Sequence, residues 1–117
     1  QYRSQVISEE SFRKEIAPCR TFALYNELCF LMERGLIGGG CLGNAVLFKD
    51  DSVISLGKLR FPDEPVRHKM LDLIGDLSLI GKPFLAHIIA VGSGHSSNIA
   101  LGNKILEALQ YEQELVK

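Results

Sequence analysis

The sequence predicts an α+β fold: a two-layer sandwich with helices packed on one face of a sheet, and a small α/β lobe inserted into it. Three observations predict this. Apolar residues recur at helical spacing in residues 8–16, 24–34, 63–77 and 97–115. Short apolar runs bounded by turn residues occur at 45–48, 53–55 and 83–91. Between the second and third helices lies a glycine break followed by a hairpin, so residues 24–55 read as a lobe within one partial domain covering 1–117.

Bulk properties limit what the chain can be. Its 117 residues suit one domain, and 46% hydrophobic with 23% charged residues suits a folded chain with a core rather than a disordered one. A net charge of −1 gives no basic excess for nucleic acid. No apolar run reaches the roughly 18 residues of a membrane span, and residues 1–8 lack the apolar stretch of a signal peptide. Cys19, Cys29 and Cys41 form no CxxC pair, so reduced, buried thiols are expected rather than zinc thiolates.

Taken in order, residues 1–7 read as a short strand. Ser8 can cap a helix with Glu9 and Glu10 at its positive end, and Pro18 stops it. Thr21 and Phe22 read as a connection. The helix from Leu24 to Arg34 places Leu24, Leu28, Leu31 and Met32 at helical spacing, with Gly35 as C-cap. Gly38, Gly39 and Gly40 break regular structure. No Gly-Lys-Ser/Thr follows them, which argues for a turn rather than a phosphate loop. Asp50 and Asp51 turn the hairpin, whose helix–glycine–hairpin unit fits αββ or βαβ. Asp63 is a candidate N-cap for a helix through Leu77, ended by Gly81-Lys82-Pro83. Residues 83–91 read as a central strand with His87 as a core histidine. Gly92-Ser93-Gly94-His95 reads as a turn, and the final helix carries a weak point at Gly102.

The third helix carries the chemistry. At about 100° per residue, Val66, Met70, Leu73, Ile74 and Leu77 gather on one side, while His68, Asp72 and Asp76 stack on the other with Lys69 beside them. His and Asp at i, i+4 can chelate one metal ion from one helix face, and Asp76 can orient another group. A solvated polar face is the simpler reading of such a stripe. His95, in a glycine turn after an apolar run, is a second reactive candidate. One helix does not complete a catalytic zinc site, which normally takes three protein ligands and a base beside the bound water.

The segment Val66-Arg67-His68-Lys69-Met70-Leu71-Asp72-Leu73-Ile74-Gly75-Asp76-Leu77 resembles the signature of the UDP-3-O-acyl-N-acetylglucosamine deacetylases. So do Ser93-Gly94-His95, Arg20-Thr21-Phe22, Gly35-Leu36-Ile37-Gly38-Gly39, and Leu59-Arg60-Phe61 with Asp63-Glu64. The resemblance implies a zinc-dependent, cytoplasmic hydrolase that removes acetate from UDP-3-O-acyl-N-acetylglucosamine in lipid A biosynthesis. By the same resemblance His68 and Asp72 match two zinc ligands, and His95 matches a general acid that steadies the oxyanion. Asp76 matches the carboxylate paired with that histidine, Lys69 a lysine at the substrate's polar end, and Thr21 and Phe22 residues near the sugar. Leu24, Leu28, Ile37, Cys41, Ala45 and Leu47 match an acyl-chain passage; packing a mini-core is the alternative. The third ligand and the glutamate base belong to the family's N-terminal half, which the sequence lacks, so the chain alone is expected to be inactive. The second expectation is a non-catalytic fragment that binds substrate or acyl chain. Two departures stand out: Gly92 where the family often has a lysine near the substrate phosphates, and Leu24 where an aromatic is common.

Overall fold

The computed structural model describes residues 1–115, apart from the side chains of Cys29 and residues 112–115. It is an α+β protein in two compact units, Gln1–His68 and Lys69 onward.

In the first unit, α1 (Glu9–Ser11) opens with a reciprocal cap. The Ser11 N–H donates to Ser8 Oγ (3.1 Å) and the Ser8 N–H donates to Ser11 Oγ (2.8 Å). The chain then widens into a π-helical turn, Phe12–Ile16, closed by the Ala17 N–H on the Phe12 carbonyl. Ile16 is fully buried there.

Strand β1 (Thr21–Leu24), helix α2 (Tyr25–Glu33), strand β2 (Ala45–Lys49) and strand β3 (Ser52–Ile54) follow. β1 pairs parallel with β2, and β2 antiparallel with β3. The lobe is therefore a βαβ unit extended by a hairpin, and its first strand is the segment the sequence predicted as a connection. Four residues carry too little pattern to announce a strand; the partner that defines it lies more than twenty residues on. Phe22 registers with Val46, which is 1% exposed, and its ring meets Phe48 edge-on at 6.2 Å. At the hairpin Asp50 takes φ 50°, a left-handed conformation that a short polar side chain tolerates. Residues 1–7 form no strand. Gln1 instead accepts from the Val66 N–H (3.2 Å) and donates to the Pro62 carbonyl (3.4 Å).

Helix α3 (Glu64–Ser78) and helix α4 (His95–Leu115) complete the described elements. Leu77 and Ile80 are buried in the second unit, and Gly102 of α4 lies against them. The rest of α3's expected apolar face is only half-buried. Residues 83–91 form no strand: Leu85, Ile89 and Val91 are exposed, and His87 is exposed rather than in a core. A strand needs a neighbour to take its N–H and C=O groups, and none of the described residues pairs with this one. Cys19 is buried and Cys41 exposed, so the expectation of buried thiols holds for the first alone; the side chain of Cys29 lies outside the described residues. Among the described residues no helix is long and apolar enough to cross a membrane.

Candidate active site

The first unit organises its chemistry around a buried carboxylate. Glu64, the first residue of α3, is 0% exposed and Arg20 6%. Glu64 Oε1 accepts from the Arg20 backbone N–H and from Arg20 Nε, both at 2.9 Å. Its Oε2 accepts from Arg20 Nη2 (3.1 Å) and from the Arg60 N–H (2.8 Å). Burial pushes this carboxyl up, but the Arg20 and Arg60 donors outweigh it and hold it at about 2. A second cluster surrounds it. Arg67 donates to Asp63 Oδ1 at 2.6 Å and Arg3 to Asp63 Oδ2 at 3.0 Å, while both arginines also reach Glu15. Burial raises Asp63, and the Arg67 and Arg3 hydrogen bonds bring it below the usual carboxylate range.

One turn after Glu64 stands His68. Its Nδ1 lies 3.0 Å from the Cys19 carbonyl oxygen. A carbonyl only accepts, so Nδ1 is the donor in this contact, and whenever the ring is neutral the lone pair falls on Nε2. That is the form in which imidazole ligates a metal, with the other nitrogen oriented by a carbonyl. Phe22 meets the His68 ring edge-on at 6.4 Å. An open cleft of about 530 Å³ lies here, lined by His68, Thr21, Cys19, Arg60 and the glycine corner at Gly39 and Gly40. Asn44 staples that corner, donating to the Gly39 carbonyl (2.9 Å) and accepting from the Cys41 N–H (2.9 Å).

The second unit holds a different arrangement. His95 is the first residue of α4 rather than part of a preceding turn, and its Nδ1 lies 2.8 Å from Asp76 Oδ2. The same oxygen accepts from Asn98 Nδ2 at 2.9 Å, and Asn98 is 3% exposed. The Asn98 hydrogen bond, aided by His95, holds Asp76 below its usual range. The hydrogen bond and charge of Asp76, with the charge of Asp72, raise His95 above its ordinary value of 6.5, against opposition from burial and Lys69. Such a histidine keeps its proton closer to neutral pH and presents Nε2–H as a cationic donor.

The predicted residues thus fall into named places. His68, Thr21 and Phe22 come together in the first unit; Asp76 and His95 come together in the second. Lys69 and Asp72 are half-buried on α3. Of the passage residues, Leu24 ends β1, Leu28 lies on α2, and Ala45 and Leu47 share the face of β2 opposite Val46. Ile37 and Cys41 flank the glycine corner, where a Cβ on Gly40 would meet Ile37 Cγ2 at 2.5 Å. Among the described residues no three His, Cys, Asp or Glu side chains gather to hold a metal. Sequence reasoning missed the Arg20–Glu64 pair and Asn98. The first was signalled only by the matched Arg20-Thr21-Phe22 and Asp63-Glu64 stretches, and Asn98 carried no signal.

An imidazole and a carboxylate in hydrogen-bond contact on an α+β domain form a pair able to hold and pass on a proton. Comparison with known proteins is specific about the family. The family model described as UDP-3-O-acyl N-acetylglycosamine deacetylase (LpxC) matches residues 1–107. The chain belongs to this family. It is 91% identical over all 117 residues to the UDP-3-O-acyl-N-acetylglucosamine deacetylase of Chlamydia trachomatis serovar L2. It is 88% identical over 110 residues to that of Chlamydia abortus and 81% identical over 110 residues to that of Chlamydia pneumoniae. These matches cover 100%, 94% and 94% of the chain, but only 41%, 39% and 39% of the relatives.

Proposed function

We propose that the chain is part of a deacetylase that removes acetate from UDP-3-O-acyl-N-acetylglucosamine in lipid A biosynthesis. The observation that carries this is the Asp76–His95 hydrogen bond within a sequence 91% identical to a relative named for that activity. His68 Nε2 and the Asp72 carboxylate, one turn apart on α3, supply two zinc ligands; a third ligand and a glutamate base come from the remainder of a longer polypeptide. The donor chemistry fits, since the Cys19 carbonyl already holds His68 in the ligating tautomer. Zinc, when bound, supplies a Lewis acid for the amide carbonyl and lowers the pKa of a bound water.

His95 does the proton work. Protonated, it presents Nε2–H to the oxyanion that forms as water adds to the amide carbon. It then transfers that proton to the nitrogen as the C–N bond breaks, so acetate and a free amine leave. Asp76 holds the imidazolium through Nδ1–H, and Asn98 holds Asp76. Thr21 and Phe22 flank the sugar, Lys69 meets the substrate's polar end, and Leu24, Leu28, Ile37, Cys41, Ala45 and Leu47 line a passage for the acyl chain. The exposed apolar residues Leu79, Leu85, Ile89 and Val91 fit a chain covered elsewhere by the rest of its polypeptide. The cytoplasm is the proposed compartment.

The test is turnover of the UDP-sugar by this chain alone and together with the N-terminal portion of a relative. Turnover is expected only with both. Turnover by the chain alone would overturn the assignment of the base and third ligand outside it. Binding of a substrate analogue without turnover in either case favours the non-catalytic binding fragment.

A further inference from the structure

Glu64 has four hydrogen bonds to its carboxylate, more than closing a helix end requires. One of them goes to the backbone N–H of Arg20. That N–H belongs to the same peptide unit as the Cys19 carbonyl, which faces His68 Nδ1. A peptide unit is planar, with N–H and C=O on opposite edges. Glu64 and His68, one turn apart on α3, therefore grip the two edges of a single plane. Rotation of that plane would take the carbonyl away from the imidazole. Neighbouring bonds close off this rotation: Arg60 Nη1 donates to the Pro18 carbonyl, and the Cys19 N–H donates to Ile16 O at 3.0 Å. Arg60 is in turn fixed by its own N–H on Glu64 Oε2.

We propose that Glu64, assisted by Arg60, is a positioning residue for His68: it holds the Cys19–Arg20 peptide plane so that the Cys19 carbonyl keeps His68 in the Nδ1–H tautomer, with Nε2 as the donor atom. The proposal deepens the metal-ligand reading of His68 and rests on it for its consequence, but not for its geometry. Neither Glu64 nor Arg60 touches substrate or metal in this role; each acts through a backbone carbonyl. The pair Arg20–Glu64 is also a structural element, so the test must separate tautomer control from stability.

The experiment uses the intact polypeptide that carries this sequence, with ¹⁵N-labelled histidine, in metal-free form and at a pH where the ring is neutral. Long-range ¹H–¹⁵N spectra of His68 report which nitrogen bears the proton. The wild type is expected to show Nδ1–H alone. In Glu64→Gln the side-chain amide turns a donor toward either the Arg20 N–H or the Arg60 N–H, and an Nε2–H population is expected to appear. Arg60→Ala, a change at an exposed side chain, should give a smaller population of the same kind. Asp63→Asn, which breaks the neighbouring arginine cluster without touching the plane, should leave the tautomer as it is. Zinc binding to Glu64→Gln should weaken by about tenfold or more, as for other changes behind a ligand. Retention of pure Nδ1–H in Glu64→Gln with a folded amide spectrum overturns the proposal. If Glu64→Gln does not fold, an unchanged tautomer in Arg60→Ala overturns it, as does an equal shift in Asp63→Asn. A zinc titration of the wild type forms a separate arm: unmoved His68 signals would remove the ligand reading, while the tautomer comparison still decides the clamp.

Discussion

Helix α3 carries two carboxylates that each engage a cation, Glu64 in the first unit and Asp76 in the second, and their surroundings could hardly differ more. Glu64 is 0% exposed, and its partner Arg20 never loses its charge under physiological conditions. Four donors converge on it, so the pair is fixed in place and in ionisation. Asp76 keeps a side chain that is 15% exposed, and its partner His95, 68% exposed, is the one cation type whose charge changes near neutral pH. The same attraction therefore builds a pair fixed in its ionisation in one unit and a pH-sensitive pair in the other. Burial and the partner's ordinary pKa decide which.

The sharpest way to break this contrast is to delete each cation. Arg20→Ala leaves a buried carboxylate without its counter-charge and should cost about 3–5 kcal/mol in urea unfolding of the intact polypeptide. His95→Ala should change stability by less than about 1 kcal/mol, because the pair is solvent-screened. It should nonetheless abolish most of the proposed turnover. Equal losses in the two variants would erase the distinction drawn above.

Acid dependence gives the next effect. The folded carboxyl of Glu64 lies at about 2, below its ordinary 4.5, so its contribution is present above 4.5 and lost as the pH falls through about 2. The difference corresponds to roughly 3 kcal/mol. Unfolding free energies between about pH 5 and pH 2 should fall steeply in the wild type and less so in Glu64→Gln.

For the second unit the sign runs the other way on the histidine. His95 is raised, so its contribution is complete below 6.5 and is lost as the pH climbs through the folded value. Asp76 is lowered, so its part is present above 3.8 and lost as the pH falls through its folded value. Asp76→Asn should therefore move the His95 titration, followed by NMR, to lower pH. The alkaline limb of turnover should follow it in the same direction. A His95 titration unmoved by Asp76→Asn would detach the pair from the pH profile.

The smallest effect tests packing beneath the second site. A Cβ on Gly102 would sit 3.8 Å from both Ile80 Cγ1 and Leu77 Cδ2, ordinary contact distances. Gly102→Ala should stabilise α4 by about 0.5–1 kcal/mol in thermal unfolding, since alanine gives up less chain entropy in a helix.

Much of the polar stripe on α3 was legible because its residues sit on a helix whose period can be counted. His68, Asp72 and Asp76 were placed by i, i+4 spacing, and the long matched segment added the pairing of Asp76 with His95. Asn98 was not legible. A buried asparagine on α4 looks like any polar residue of a helix until the carboxylate above it is known. Residues 83–91 show the opposite error. Their apolar, strand-like run describes what the segment prefers, but a strand exists only with a neighbour, and the described residues provide none.

What the sequence determined by itself was therefore local: the cap at Ser8, α2, the Asp50–Asp51 hairpin, α3 with its polar stripe, and the body of α4. These depend on neighbours within about one turn, and such neighbours are written next to one another. The tertiary structure alone decided that Thr21–Leu24 is a strand, that Arg20 is buried on Glu64, and which nitrogen of His68 bears the proton. The last two outcomes join residues 44 and 49 positions apart, through three hydrogen bonds and one. A hydrogen bond of that span follows from where the backbone folds back, and no periodicity along the chain encodes it.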